Sequence, residues 1–269
     1  MKQGSFVRRC ALWIVLIGVF NLMVQFETHG QTSRKAMDRL LILTPSSMSE
    51  VTKAIAQSFE QEHGTMVLVS TAGTGQLARQ LEAGIPADLM IFADEIWLDW
   101  AIDRGLLDPD TRIPIAGNRL VVATKKETGK QGRIPELLTS ELFAMGDYRS
   151  VPVGRYARQA LTKMGLWDSA KGNAVFGENA RITLQRLVRG EVSAAIVYAS
   201  DVNMATETRS VYVVPEAFHS PIVYWVARTS SAVKKNDPKT QTLVEFLKSA
   251  KARGVMRDFG FLPPPAPAN

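Results

Sequence analysis

The sequence predicts an α/β protein with two lobes, each built on a mostly parallel sheet flanked by helices, with a ligand cleft between the lobes. Short apolar runs alternate with segments of helical periodicity, which is the pattern of parallel sheets covered by helices. The alternation occurs as two successive series, at 40–124 and 143–199, with no long linker between them. A chain of 269 residues is also long enough for two modest cores.

The first series begins with an apolar run and ends with another. In its first helix, Val51, Ile55 and Phe59 recur every four residues, and Gly64 supplies the stop. The same reasoning predicts strands at 40–44, 66–70, 88–93 and 118–124, and helices at 47–64, 75–84 and 95–105.

The second series repeats this pattern and then returns toward the first lobe. It predicts strands at 143–147, 174–177, 193–199, 211–215 and 221–227, and helices at 153–165, 179–190, 237–252 and 252–258. We expect the chain to cross between the lobes near 119–124 and 210–225. The predicted domains are therefore 36–118 plus 223–262 for lobe 1, 119–222 for lobe 2, and a disordered Pro-rich tail at 263–269.

The N-terminus has the pattern of a secretory signal peptide at 1–30. Basic residues precede an apolar run at Ala11–Val24, and polar residues follow it. The run has 14 residues, whereas a membrane-spanning helix needs about 20, so an uncleaved anchor is the less favoured alternative. Cys10 precedes the run, whereas a lipoprotein cysteine would follow it. We expect cleavage after Gly30 and export to the periplasm.

The charge and cysteine content exclude several function classes. The chain carries 32 Lys and Arg against 26 Asp and Glu, a net charge of +6. Without residues 1–30 the net charge is +4, and the basic residues are scattered with no run of five, so nucleic acid is not an expected partner. The remainder also has no cysteine, which excludes thiol catalysis and disulfides.

Polar or small-residue turns link a strand to a helix at four places, namely 44–48, 70–75, 147–154 and 177–180. Such turns direct unpaired backbone N–H groups and the positive end of a helix dipole toward the strand ends where ligands bind. At any single turn, Ser, Thr or Asn is better explained as a helix cap. Four such turns, two from each half, favour an anion site.

The run Gly73-Thr74-Gly75-Gln76-Leu77-Ala78 carries the strongest enzyme hypothesis. It fits the G-x-G-x-x-A pattern of dinucleotide-binding turns, and Asp94 ends the next strand. Against this hypothesis, the helix is short, breaking at Gly84, and the run lies on the second strand–helix unit. Other catalytic patterns are missing: His63 and His219 form no metal cluster, and there is no nucleophile elbow.

The chain from about 40 to 261 resembles the periplasmic molybdate-binding proteins, the substrate-binding components of molybdate ABC transporters. The matching runs are LARQLEAGIPADLMIFADEIWLDWAIDRGLLD, GNRLVVAT, GDYRSVPVGRYARQALTKMGLWD, ENAR and AIVYASD, in this order. The resemblance implies the type II periplasmic binding protein fold, no enzymatic activity and no cofactor. It also implies a monomer that takes molybdate or tungstate to a membrane permease.

The resemblance further implies the residues that bind the anion. In this family the oxyanion is held by hydroxyls and backbone N–H groups, with no charged ligand and no bare metal cation. Carried over position by position, the hydroxyl donors are Ser47, Thr74 and Tyr198, and the backbone donors are Val153 and Ala180.

This chain departs from the family at several of these positions. Thr74 stands where the family usually has serine, and Val153 where it usually has alanine. The alanine-rich segment before the first serine is replaced by Thr44-Pro45-Ser46, so Ser46 competes with Ser47 as a ligand. The departures leave a receptor for another tetrahedral oxyanion, such as sulfate, as an alternative to molybdate.

Overall fold

The computed structural model describes residues 39–127 and 134–265. The predicted signal peptide at 1–30 and residues 266–269 of the predicted tail lie outside the described residues. Within the two described ranges, every helix falls short of the length and apolarity that crossing a bilayer requires.

Strands and helices alternate over most of the described chain. The strands are β1 (Arg39–Pro45), β2 (Met66–Ala72), β3 (Leu89–Phe92), β4 (Ile113–Gly117), β5 (Leu120–Lys125), β6 (Phe143–Gly146), β7 (Ala174–Gly177), β8 (Ala194–Tyr198), β9 (Thr208–Val213) and β10 (Val223–Arg228). The helices are α1 (Ser49–His63), α2 (Thr74–Glu82), α3 (Glu95–Asp103), α4 (Ile134–Thr139), α5 (Pro152–Lys163), α6 (Trp167–Ala170), α7 (Ala180–Val188), α8 (Ala199–Met204), α9 (Ser230–Lys235), α10 (Pro238–Lys248) and α11 (Ala250–Asp258).

The strands form two five-stranded sheets with the same topology. The first sheet has the order β2-β1-β3-β10-β4, and the second has the order β7-β6-β8-β5-β9. In each sheet four strands run in one direction, and the fourth strand in the order, β10 or β5, runs against its neighbours. We call each sheet, with the helices packed on it, the first and the second lobe.

The reversed strands are those by which the chain changes sheets. The chain leaves the first sheet after β4 and enters the second through β5, then leaves the second after β9 and returns through β10. Strands in the middle of each sheet, such as β3, β6 and β8, are buried along their whole length, as expected where helices cover both faces. The predicted fold class is confirmed.

Some elements differ from the sequence prediction. β4 was not predicted, because Pro114 interrupts its apolar pattern. The strand nevertheless forms at the edge of the first sheet, where proline is tolerated. The predicted helix 237–252 ends at Lys248. The reason is that Ser249 is extended and its side chain caps α11, accepting a hydrogen bond from the Ala252 N–H at 3.1 Å.

Candidate functional site

The five residues predicted to bind an anion line one small cavity between the lobes. The first lobe contributes Ser47 and Thr74, and the second contributes Val153, Ala180 and Tyr198. All five are buried. The cavity volume is about 10 Å³, far below the roughly 300–1,000 Å³ typical of sites for organic ligands. It has no room for an organic ligand.

The cavity lies where helices begin at the carboxyl ends of parallel strands. A short 3₁₀ helix, Ser46–Met48, follows β1 and leads into α1, while α2, α5 and α7 begin at the cavity wall. The first backbone N–H groups of a helix have no acceptor within the helix, and the dipole makes this end positive. The fold therefore directs several backbone donors from both lobes at one point.

Helix capping accounts for one of these turns but not for the others. The Asn179 side chain accepts a hydrogen bond from the Ile182 N–H at 2.9 Å and so caps α7. Within the described residues, the 3₁₀ helix after β1, α2 and α5 have no side-chain cap hydrogen bond. The N–H groups of Thr74 and Val153, at the starts of α2 and α5, have no hydrogen-bond partner among the described residues, so they are available to a ligand.

Two hydroxyls in the cavity wall lack partners. Thr74 and Tyr198 are each 1% exposed, and neither hydroxyl makes a hydrogen bond of normal geometry to any described group. The Tyr198 ring packs edge-on against Tyr224, with the ring centroids 5.9 Å apart. A buried hydroxyl without a partner destabilises the fold by about 1–3 kcal/mol, so two at one cavity indicate a polar ligand there.

Both serines at the end of β1 line the cavity, and each already accepts a hydrogen bond. Ser47 Oγ accepts from the Tyr224 hydroxyl at 3.1 Å, and Ser46 Oγ accepts from the Arg181 N–H at 3.5 Å. A hydroxyl that accepts one hydrogen bond still has a proton to donate. Either serine can thus donate to an anion, and Ser47 remains the predicted ligand.

The glycines of the G-x-G run allow the lobes to approach each other. A Cβ atom on Gly73 would lie 2.8 Å from the carbonyl oxygen of Glu178 in the second lobe. A Cβ atom on Gly75 would lie 2.4 Å from the Trp97 ring of its own lobe and 3.0 Å from the Ser150 carbonyl oxygen of the second lobe. The distances of 2.8 Å and 2.4 Å are shorter than real Cβ contacts, so glycine is required by packing at the cleft. This requirement explains the run without a dinucleotide.

Side chains on either side of the cavity join the lobes directly. The Trp97 indole N–H donates to the Ser150 carbonyl at 2.9 Å. The Arg155 guanidinium pairs with the Asp94 carboxylate at 3.0 Å, and both groups are largely buried. Further out, Arg181 pairs with Glu50. The side-chain contacts of Trp97, Arg155 and Arg181 join the two lobes, so they belong to the closed arrangement of the cleft.

The arginines near the α5 turn are occupied in ion pairs. Arg155 forms the buried pair with Asp94, and Arg149 is exposed and pairs with Asp147 at 2.9 Å. Burial raises the pKa of Asp94, and the Arg155 charge opposes that rise. Arg155 is consequently part of the contact between the lobes and not a freely solvated charge.

None of the described side chains that line the cavity carries a formal charge. Burial raises the pKa of Tyr198 well above its ordinary value, so the hydroxyl keeps its proton and can only donate or accept a hydrogen bond. Asp201 follows Tyr198 by three residues and is fully buried, and burial raises its pKa to about 7. Over the described ranges, no group of His, Cys, Asp or Glu side chains could hold a metal ion.

Sequence reasoning missed the residues behind the cavity. Tyr224 lies on β10 and Asn118 between β4 and β5, so both belong to the segments that connect the lobes. Asn118 belongs to the GNRLVVAT run that matches the family, so the resemblance singles out this position. It does not indicate that Asn118 contacts Tyr224. The pairing of Asp94 with Arg155 was equally hidden, because its members are far apart in sequence.

Comparison with known proteins identifies the family of this chain. The bacterial extracellular solute-binding protein family matches the chain over residues 40–262. The chain belongs to this family. The molybdate-binding protein ModA of Escherichia coli K12 is 34% identical over 230 residues, which are 83% of this chain and 88% of that protein. The predicted resemblance is confirmed.

Solved structures of solute-binding proteins share the fold. The periplasmic molybdate-binding protein of Azotobacter vinelandii superposes with a TM-score of 0.74 at 20% identity, covering 84% of this chain and all of that one. The sulfate-binding protein SubI of Mycobacterium tuberculosis superposes with a TM-score of 0.72 at 15% identity, covering 84% of this chain and 86% of that one. At these identities the likeness shows the fold alone.

Proposed function

We propose that this solute-binding protein captures molybdate, and also tungstate, and delivers it to the permease of an ABC transporter. The observation that carries the proposal is the cavity in which Ser47, Thr74, Val153, Ala180 and Tyr198 meet. The similarity to ModA of Escherichia coli supports molybdate as the anion.

The chemistry of the five groups suits a fully deprotonated tetrahedral dianion. Hydroxyls and backbone N–H groups can all donate, and charge-assisted hydrogen bonds contribute about 1.5–3 kcal/mol each, enough in sum to offset desolvation of the anion. Hydrogen phosphate carries a proton that would meet donors, at a penalty of roughly 1–3 kcal/mol. The proposed site therefore favours molybdate or tungstate over phosphate.

We also propose how the ligand couples the site to transport. An anion that contacts donors of both lobes binds the closed state better than an open one, so it shifts the protein toward closure. A permease that recognises the closed state would then receive the loaded protein. The domain limits proposed for this motion are 36–118 plus 223–262 and 119–222, which are supported by the change of sheet before β5 and before β10.

We also propose where the protein is located and that it is a binding protein. We propose a periplasmic monomer that is exported by the signal peptide at 1–30 and has neither enzymatic activity nor a cofactor. Family membership and the packing role of Gly73 and Gly75 support a binding protein over a dinucleotide-dependent enzyme.

Calorimetric titration of residues 31–269 with molybdate, tungstate, sulfate, phosphate and NAD tests the function. We expect tight binding of molybdate and tungstate, weak binding of sulfate and phosphate, and none of NAD. Tight binding of sulfate or NAD with no molybdate signal would overturn the proposal.

A further inference from the structure

A chain of hydrogen bonds runs behind the cavity and ends at Ser47. The amide nitrogen of Asn118 lies 3.4 Å from the hydroxyl of Tyr224, which in turn lies 3.1 Å from Ser47 Oγ. The three side chains come from the first crossing of the chain, from β10 and from the end of β1. All three are buried, Tyr224 completely. These hydrogen bonds thus connect both segments that cross between the lobes to Ser47 in the cavity wall.

The orientation of the Asn118 amide is determined by its other contacts. Its oxygen accepts from the backbone N–H of Arg119 at 2.9 Å and from that of Ser200 at 3.5 Å. Its nitrogen donates to the Ser200 hydroxyl at 2.8 Å as well as to Tyr224. Reversing the amide would place its N–H₂ group against two backbone N–H groups. The nitrogen therefore faces Tyr224, and an amide nitrogen can only donate.

A donor at one end determines the direction of the whole chain. Tyr224 accepts from Asn118 and donates its own proton to Ser47, and burial keeps that proton in place by raising the pKa of Tyr224. Ser47 Oγ accepts this proton and lines the cavity, so its own proton is directed away from Tyr224 and is free to meet an anion there. The result is a serine held as a donor.

We propose that Tyr224 and Asn118 are positioning residues that hold Ser47 as a hydrogen-bond donor and so contribute to a preference of the cavity for oxyanions without a proton. The inference rests on the proposed function and deepens it. Neither residue touches the anion; both act through Ser47. Without Tyr224, the Ser47 hydroxyl could rotate and accept the proton of hydrogen phosphate.

The first test is Tyr224→Phe, which removes one oxygen and keeps the ring. We expect molybdate affinity to fall about 5- to 10-fold, which corresponds to one hydrogen bond, and phosphate affinity to fall less, so that selectivity for molybdate decreases. Tyr212→Phe is the matched control, because Tyr212 lies on β9 at the edge of the second sheet, away from the cavity. We expect it to bind as the wild type does.

The second test is a double-mutant cycle for molybdate binding with Ser47→Ala. If Tyr224 acts through Ser47, Tyr224→Phe has no further effect once Ser47 is alanine, so the two effects are not additive. A Tyr224 that only stabilises the fold, or that acts through the neighbouring Tyr198, would give additive effects. Additivity therefore overturns the proposal.

Neutron diffraction of the wild-type protein with molybdate tests the proton positions without any variant. We expect the Tyr224 proton on the line to Ser47 and the Ser47 proton directed at the anion; the opposite arrangement overturns the proposal. If the wild type binds molybdate and Tyr224→Phe has the same affinity and selectivity, this inference fails while the proposed function stands. If the wild type binds no oxyanion, both fail.

Discussion

The hydroxyl of Thr74 is buried in the cavity wall without a hydrogen-bond partner among the described groups, so it adds nothing to the stability of the unligated fold. Thr124, on β5, also has a buried hydroxyl without a partner among the described groups, but it does not line the cavity. Both threonines are buried, but only Thr74 lines the cavity in which we propose that the anion binds. They form a matched pair for testing the site.

We predict that Thr74→Val weakens molybdate binding by about 10- to 100-fold, since a charge-assisted hydrogen bond contributes about 1.5–3 kcal/mol. Neither Thr74→Val nor Thr124→Val should lower the free energy of unfolding without ligand, because each removes an unsatisfied hydroxyl. Thr124→Val should bind molybdate normally. Calorimetric titration and denaturant unfolding measure both quantities, and equal affinity in the two variants would contradict the assignment of Thr74.

Asp201 introduces a pH dependence of stability next to the site. Burial raises its pKa from 3.8 to about 7, so between these values the folded state holds a proton that the unfolded state has released. The contribution of this group to stability is therefore complete below pH 3.8 and is lost as pH rises to about 7. Above that pH the folded protein contains a buried carboxylate whose oxygens have no hydrogen-bond partner among the described groups.

We predict that Asp201→Asn, which stays neutral, has a stability close to that of the wild type near pH 4 and is more stable by a few kcal/mol near pH 8. Urea unfolding at a series of pH values measures the difference. Asp258→Asn, at an exposed position on α11, is the control and should show no such trend. A difference that does not change with pH would contradict the raised pKa.

At the scale of elements, the turn between β2 and α2 controls how closely the lobes meet. Gly73 has a φ of −66°, which any residue adopts, so an added methyl group strains no backbone. That methyl group would nevertheless lie 2.8 Å from the Glu178 carbonyl oxygen in the other lobe. The steric conflict exists only when the lobes are closed.

We predict that Gly73→Ala keeps the stability of the unligated protein but lowers molybdate affinity by about tenfold or more, because about 1.4 kcal/mol of disfavoured closure is enough for that loss. The control is Gly172→Ala, where no atom lies within 4 Å of the added methyl group. Thermal unfolding and calorimetry separate the two effects. A normal affinity for Gly73→Ala would show that closure does not bring these backbones together.

The two alternating series of apolar runs and helical segments predicted most strands and helices in their order along the chain. Buried central strands such as β1, β3 and β8 were found from their apolar runs, because burial on both faces leaves a continuous apolar sequence. Short helices such as α4, α8 and α9 were not predicted, since six residues span too few turns for a periodic pattern to stand out.

At the scale of the whole molecule, ligand binding should appear as compaction. The contacts between Trp97 and Ser150 and between Arg155 and Asp94 join the lobes near the cavity, so we expect them to form when the cleft closes. We predict that molybdate lowers the radius of gyration measured by small-angle X-ray scattering, and that sulfate at the same concentration lowers it less. No change with molybdate at saturation would contradict closure.

The sequence by itself determined the two-lobed class, most strands and the turns at which we expect an anion to bind, because these depend on local patterns of apolar residues and on a resemblance that covers nearly the whole chain. The candidate ligands could be named in advance for the same reason. Only the tertiary structure showed which of these turns are capped: a side-chain cap hydrogen bond is absent at three of the four turns among the described residues.

Tertiary structure alone decided what surrounds those ligands. The chain of Asn118, Tyr224 and Ser47 joins positions separated by more than one hundred residues, and the pair of Asp94 with Arg155 spans 61. Contacts at such separations depend on how two sheets pack across a cleft, which no local pattern encodes. The sequence therefore specifies which donors are present, and the packing of the lobes specifies their direction.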